Sequence, residues 1–261
     1  MKLTVGMICT EVDQYFRQWY QLVKDLADHI VIVEDTDGPG SEVIKECLQT
    51  IGGPSFSFRT ISRTFIPQYG FAAAKNIAID MAPDDTDWYI PLDSDECFSP
   101  SSAEKIRPGL EGLEDDIDIV LFTRKNQTER PKRSNGTFVH VSDWISMARL
   151  GKFRDEPQIK AIRYGRSRYA GIIHEEPGGK RGSLENISLL HFCMMHGEEG
   201  ETQKQRLYCY LIERCVDNPD DRVGVNSWWY TTWYTENKEL VERRAREFKE
   251  HDPRFHNCND G

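Results

Sequence analysis

The 261-residue chain has no apolar run near the roughly 20 residues that a spanning helix needs, so no helical membrane span is expected. It shows no internal repeat and no low-complexity linker, and reads as one domain built of two halves. The N-terminal MKLTVGMICTEVDQYF has one lysine and an apolar stretch that stops at Glu11. A signal peptide needs a longer apolar core and a small-residue cleavage site, so this stretch is expected to be a first buried strand. Cysteine is sparse and odd in number, with seven residues at Cys9, Cys47, Cys97, Cys193, Cys209, Cys215 and Cys258. Such scatter points to free thiols in a reducing cytoplasm, not to a disulfide framework. Cys-X2-Cys pairs are also missing. Zinc could be sought in HFCMMH, at His191, Cys193 and His196, with Cys209 and Cys215 downstream. Structural zinc sites, however, pair their ligands at short spacing, and LLHFCMM also reads as an apolar strand.

Aromatics are not lacking: 6 Trp, 10 Tyr and 12 Phe supply ample core material and argue against disorder. The formal charge is −10, unevenly spread. Residues 124–181 hold 14 Lys/Arg against 6 Asp/Glu. This is either a surface that focuses anions or a set of dispersed, solvated charges.

The first 125 residues alternate between strand and helix patterns. LTVGMIC (3–9), HIVIVED (29–35), FSFRTI (56–61), DWYIPLD (87–93) and DIVLF (118–122) read as strands. Helices are expected over 13–28, 42–51, 71–82 and 99–110, and DGPGS (37–41) reads as a turn. This order predicts a mostly parallel α/β sheet with helices on both faces. Short strand-like runs then follow up to residue 192, with helical stretches near 200–216 and 228–250. WWYTTWY (228–234) suits either a helix packed on the sheet or a stacking platform for a sugar or base. ELVERRAREFKEHD (239–252) is a charged amphipathic helix.

The chemistry concentrates in PLDSDECF (91–98), where an apolar strand delivers Asp93, Ser94, Asp95 and Glu96 to its C-terminal end. Ligands of open α/β sheets bind at that edge. If the extended geometry continues, Asp93 and Asp95 point the same way and can hold a hard divalent ion. An acidic turn before a Ser-Pro helix start is the plain alternative. GFAAAKNIAID (70–80) places Lys75 and Asn76 on an Ala-rich helix that feeds this strand. IVIVEDTDGPGS (30–41) ends a strand in Glu34, Asp35 and Asp37, whose oxygens suit ribose hydroxyls or a base N–H, or simply a turn.

Taken in order, LTVGMICTE, IVIVEDTDG, GFAAAKNIAID and DWYIPLDSDECF resemble the inverting family 2 glycosyltransferases of the GT-A fold. GIIHEEP (171–177) and LLHF (189–192) extend the likeness to lipopolysaccharide-core-type and SunS-like members, over roughly residues 3–193. The resemblance implies a Rossmann-like GT-A domain over 1–261. Within it, 1–124 would bind a nucleotide-sugar, 125–198 would hold the acceptor and catalytic groups, and 199–261 would form a C-terminal helical extension. It further implies a UDP-sugar donor and Mn²⁺ or Mg²⁺. Thr10, Glu11 and Glu34 would border the base and ribose, and Lys75 and Asn76 the nucleotide or its phosphates. Asp93, beside Ser94, would face the ribose or metal, Asp95 of this Asp-X-Asp motif would ligate the metal, and His191 would be a further ligand. The sequence departs from the family's usual pattern at Thr10-Glu11, at Glu34 and at Lys75.

Displacing a nucleoside diphosphate requires neutralised leaving-group charge and a general base for the acceptor hydroxyl. Glu175 in HEEP is the expected base, with His174 holding the acceptor or sharing a hydrogen bond. Glu176 and Asp143 are the alternatives. The acceptor is expected to be a saccharide, lipid-linked or otherwise anionic. A hydroxylated DNA base is a second possibility, although a net charge of −10 opposes general duplex affinity. Binding of a nucleotide-sugar without turnover is a third.

Overall fold

The computed structural model describes residues 1–10, 16–38, 40–49, 53–129, 131–137, 139, 144–174, 176–192 and 197–256. Its first strands are β1 (Leu3–Thr10), β2 (His29–Asp35), β3 (Ser55–Ile61), β4 (Trp88–Pro91), β5 (Glu96–Phe98) and β6 (Ile119–Glu129). They are followed by β7 (Lys152–Arg163), β8 (Tyr169–Ala170), β9 (Glu176–Pro177) and β10 (Arg181–His191). The helices are α1 (Phe16–Val23), α2 (Glu42–Leu48), α3 (Phe65–Asp80), α4 (Pro100–Glu111), α5 (Trp144–Leu150), α6 (Gly197–Asp217), α7 (Tyr234–Glu236), α8 (Lys238–His251) and α9 (Pro253–His256). Eight strands form one sheet in the order β3-β2-β1-β4-β7-β6-β10-β5, and β8 pairs with β9 separately. The β3-β2-β1-β4 half is parallel throughout. β7 enters antiparallel to both β4 and β6, and β10 runs parallel to β6.

The parity of the strands sorts the core into two layers. Leu3, Val5 and Met7 of β1 and Ile30 and Ile32 of β2 face α1, α2 and α4. Val31 and Val33 of β2 face α3, α6 and α8. Burial on both sides explains why HIVIVED is an unbroken apolar run before its acids. α1 buries Phe16, Trp19, Tyr20 and Val23, the helical spacing visible in the sequence. Ser41 and Ser99 cap α2 and α4 through bonds to the Val43 and Ser102 N–H groups.

Three regions differ from the sequence reading. α3 starts at Phe65 and kinks at Gly70, whose φ of 81° only glycine adopts easily; a Cβ there would lie 2.3 Å from Ile172 Cα. β6, β7 and β10 are long strands of 11, 12 and 11 residues where short runs were expected, because their exposed ends carry polar residues that mask the apolar pattern. The aromatic segment is not one α-helix: 229–233 form a π-helical turn before α7. Thr231 and Thr235 hydroxyls donate to the carbonyls of Ser227 and Thr231, at 2.7 and 2.6 Å, competing for acceptors with the regular backbone ladder.

Among the described residues, five cysteines (Cys9, Cys47, Cys97, Cys209 and Cys215) are buried thiols outside any disulfide. No helix among those residues is long and apolar enough to cross a membrane.

Candidate active site

A cavity of about 540 Å³ opens at the C-terminal ends of β1, β2 and β4. β1 contributes Ile8 and Cys9, and β2 contributes Asp35. Asp93, Ser94 and Asp95 follow β4, Lys75 and Phe71 come from α3, and Arg63 precedes that helix. The opposite wall is α6, with Gln203, Lys204, Arg206 and Tyr208, and the α8–α9 junction, with His251 to Arg254.

The acidic motif is shaped by a turn, not by a continued strand. β4 ends at Pro91, and the Glu96 N–H donates to the Asp93 carbonyl at 3.0 Å. The turn, and not strand alternation, brings both aspartates to the cavity. Glu96 points inward instead, fully buried, with Oε2 2.6 Å from Lys160 Nζ and 3.1 Å from the Asp93 N–H. Desolvation by the cavity walls works against ionisation of Asp93, whose side chain solvent still reaches, but Lys160 and Lys75 outweigh it and hold the carboxyl below the usual range.

Asp95 is 3% exposed, and its Oδ2 lies 3.3 Å from His191 Nε2. The other imidazole nitrogen, Nδ1, is 2.7 Å from Asn126 Oδ1. His191 ends β10, between β6 and β5, in register with Asn126 on one side and with Glu96 on the other. Asp95 and His191 thus bring an oxygen and a nitrogen together in a donor set that suits a hard or borderline divalent cation. No group of three or more His, Cys, Asp or Glu side chains gathers as a cation cage among the described residues.

Strand parity separates Glu34 from Asp35. Glu34 follows Ile30 and Ile32 to the α2 side, where its Oε2 accepts from the Ser41 N–H at 2.8 Å and ties the start of α2 to β2. Asp35 follows Val31 and Val33 to the cavity side. Asn76 also stands outside the cavity lining: its amide donates to the Tyr169 carbonyl at 2.9 Å and accepts from the Tyr169 N–H at 3.0 Å. It ties α3 to β8. Lys75 does line the cavity, with Nζ 4.8 Å from the Tyr169 ring centroid. Thr10 ends β1 opposite Asp35 in the sheet register. Glu11, Asp143, Glu175, Cys193 and His196 lie outside the described residues.

His174 is the one non-glycine residue with positive φ among the described residues, at 48°. Its ring stacks on Trp229 at 3.5 Å and 7°, with Tyr208 edge-on at 5.8 Å. Burial, helped by Lys75, lowers its pKa to about 4, so the imidazole is neutral at pH 7. A strained residue and a π-helical turn meeting at one contact is a pairing that marks functional sites. Glu176 is exposed and paired with Arg181 at 3.0 Å.

Lys204, Arg206 and Tyr208 were not foreseen as site residues, although the helix carrying them was. Only Lys204 and Tyr208, four apart, share a helix face, and a Lys–Tyr pair at that spacing is common on solvated helices. The basic 124–181 segment is extensively paired: Arg124 with Glu156, Lys125 with Asp155, Lys152 with Glu129, Arg168 with Asp80 and Lys180 with Asp116.

Residues 7–176 match the model of Glycosyl transferase family 2. The chain belongs to that family. No curated protein matches the sequence. Among solved structures it is similar to S. aureus TarS 1-349, at 11% identity and a TM-score of 0.47 over 81% of this chain. It spans 65% of that chain's length. It is also similar to 4-diphosphocytidyl-2C-methyl-D-erythritol synthase from Anaerococcus prevotii, at 12% identity and a TM-score of 0.39, covering 62% of this chain and 72% of the other.

Proposed function

We propose that the protein moves a sugar from a nucleotide-sugar, a UDP-sugar, to an acceptor hydroxyl with inversion and with the help of Mn²⁺ or Mg²⁺. The observation that carries this reading is the meeting of Asp93, Ser94 and Asp95 with Lys75 and Lys204 around one cavity at the sheet's C-terminal edge. The two lysines attract the diphosphate. Asp35, buried on the cavity side of β2, takes the contact with base or ribose that was expected of Glu34. Asp95 and His191 fit a divalent cation, with Asp93 facing the ribose or the same ion; a nucleotide's phosphate oxygens would complete its shell. Such an ion, when bound, neutralises charge developing on the leaving diphosphate.

The acceptor enters beside the stack of His174 on Trp229, which reaches the cavity through Tyr208. Neutral His174 shapes that wall, and Glu175, next in the chain, is the base that takes the hydroxyl proton. A saccharide, lipid-linked or otherwise anionic acceptor suits this wall. A nucleic-acid acceptor is not favoured, because the ion pairs of residues 124–181 engage the charges that would meet a phosphate backbone.

The test is a thermal-shift panel of UDP-, GDP-, CMP- and dTDP-sugars with and without Mn²⁺. A donor at 100 times its Kd adds about 2.7 kcal/mol. A Mn²⁺-dependent shift with UDP-sugars, together with loss of donor turnover in Asp95→Asn, is expected. No shift from any donor at saturating Mn²⁺, or full turnover in the variant, would overturn the reading.

A further inference from the structure

His191 is embedded in a chain of contacts that runs across three strands. Glu156 of β7 accepts from Arg124 at 2.9 Å and from the Asn126 amide at 2.5 Å. Burial works against the charged form of Glu156, yet these bonds outweigh it and lower its pKa, so the group is an acceptor only. An acceptor facing Asn126 must meet the amide NH₂, which settles which way round that side chain sits. The amide oxygen therefore faces His191 Nδ1 at 2.7 Å, and an oxygen there can only accept. Nδ1 must carry the hydrogen. In the neutral ring, Nε2 is then left as a lone pair, aimed at Asp95 Oδ2 across 3.3 Å. Two acceptors facing each other at that distance repel unless a cation or proton lies between them.

We propose that Asn126, oriented by Glu156, is a positioning residue that fixes His191 as its Nδ1–H tautomer and so turns the His191–Asp95 pair into a cation-binding pair. The inference rests on the divalent-cation reading of the site, but the tautomer is a property of the metal-free protein. Partners that orient a ligating histidine typically govern about 10–100-fold in metal affinity. Arg124 supports the arrangement from outside by holding Glu156, and its Nη1 also lies 3.8 Å from Glu96.

The experiment uses the full chain labelled with ¹⁵N-histidine. Long-range ¹H–¹⁵N correlation in the metal-free protein, read at a pH where the spectrum shows the ring singly protonated, is expected to show His191 with a protonated Nδ1 and a bare Nε2. In Asn126→Leu that preference should be lost. In Glu156→Gln, a half-buried and nearly isosteric change, the amide is free to turn over and both tautomers should appear. Mn²⁺ alone, followed by the electron paramagnetic resonance of the free ion, should bind about 10–100-fold more weakly to both variants. A wild-type Nε2–H tautomer, or a tautomer unchanged in both variants, overturns the role of Asn126 whatever the metal does. The proposed tautomer with no Mn²⁺ binding by the wild type leaves Asn126 as the group that sets the ring but overturns the cation pair, and with it the metal reading of the site.

Discussion

Lys160→Met isolates the link between the buried core and the acidic turn. Lys160 Nζ lies 2.6 Å from Glu96 Oε2, and the two side chains are 7% and 0% exposed. The same oxygen accepts from the Asp93 N–H, so one carboxylate anchors the turn that presents Asp93 and Asp95. Removing the ammonium leaves Glu96 buried, with Arg124 Nη1 at 3.8 Å as its remaining cation. Breaking a buried pair from one side costs about 3–5 kcal/mol. Because Arg124 stays close, the lower end, about 3 kcal/mol, is expected. At about 2–4 °C per kcal/mol for a chain of this size, Tm should fall by about 6–12 °C. Calorimetry at pH 7.5 on the wild type, Lys160→Met and the double variant Lys160→Met/Glu96→Gln would measure it. The double variant removes the orphaned charge while keeping an acceptor for the Asp93 N–H, so it should recover much of the loss. A drop under 2 °C for the single variant, or a double variant no better than the single, would refute the reasoning.

Gly70→Ala should cost about 2–5 kcal/mol, because the new Cβ would meet Ile172 backbone atoms at 2.3–2.7 Å while φ stays positive. Urea denaturation checks this, and near-wild-type stability would mean that the α3 kink is not docked on the segment leading to His174. His174, with its pKa lowered to about 4, binds its proton less readily folded than unfolded. Its contribution is therefore complete above about pH 6.5 and is lost as pH falls toward 4, by up to about 3 kcal/mol. The slope of Tm against pH in that window should flatten in His174→Asn, and an unchanged slope would contradict the neutral stacked ring. Asn76→Ala, which frees both backbone groups of Tyr169, should lower stability by about 1–3 kcal/mol while leaving the Kd for UDP-sugar within a few-fold. A selective loss of donor affinity by isothermal titration would return Asn76 to the nucleotide.

Much of the first half is legible from sequence because its signals are local. The buried run of β2, the apolar spacing of α1 and the Ser-Pro start of α4 are each read within about a dozen residues. The position of Asp93 and Asp95 after a buried strand is local too, and it pointed to the sheet edge where the cavity opens. The π-helical turn was not legible, since it arises from competition between threonine hydroxyls and backbone for the same carbonyls. Long β6, β7 and β10 were hidden by polar ends, whose strand state depends on pairing with a distant partner.

By itself the sequence determined the family, the α/β alternation and the acidic motif, because these are carried by residue order and short-range periodicity. Tertiary structure decided which groups meet. Parity along β2 chose Asp35 over Glu34 for the cavity, a hydrogen-bonded turn aimed two aspartates inward while Glu96 went to the core, and α6 returned Lys204 from more than 100 residues away. Pairing of β10 with β6 and β5 set His191 between Asn126 and Asp95. Such encounters depend on sheet register and chain return, and neither leaves a mark in the local order of residues.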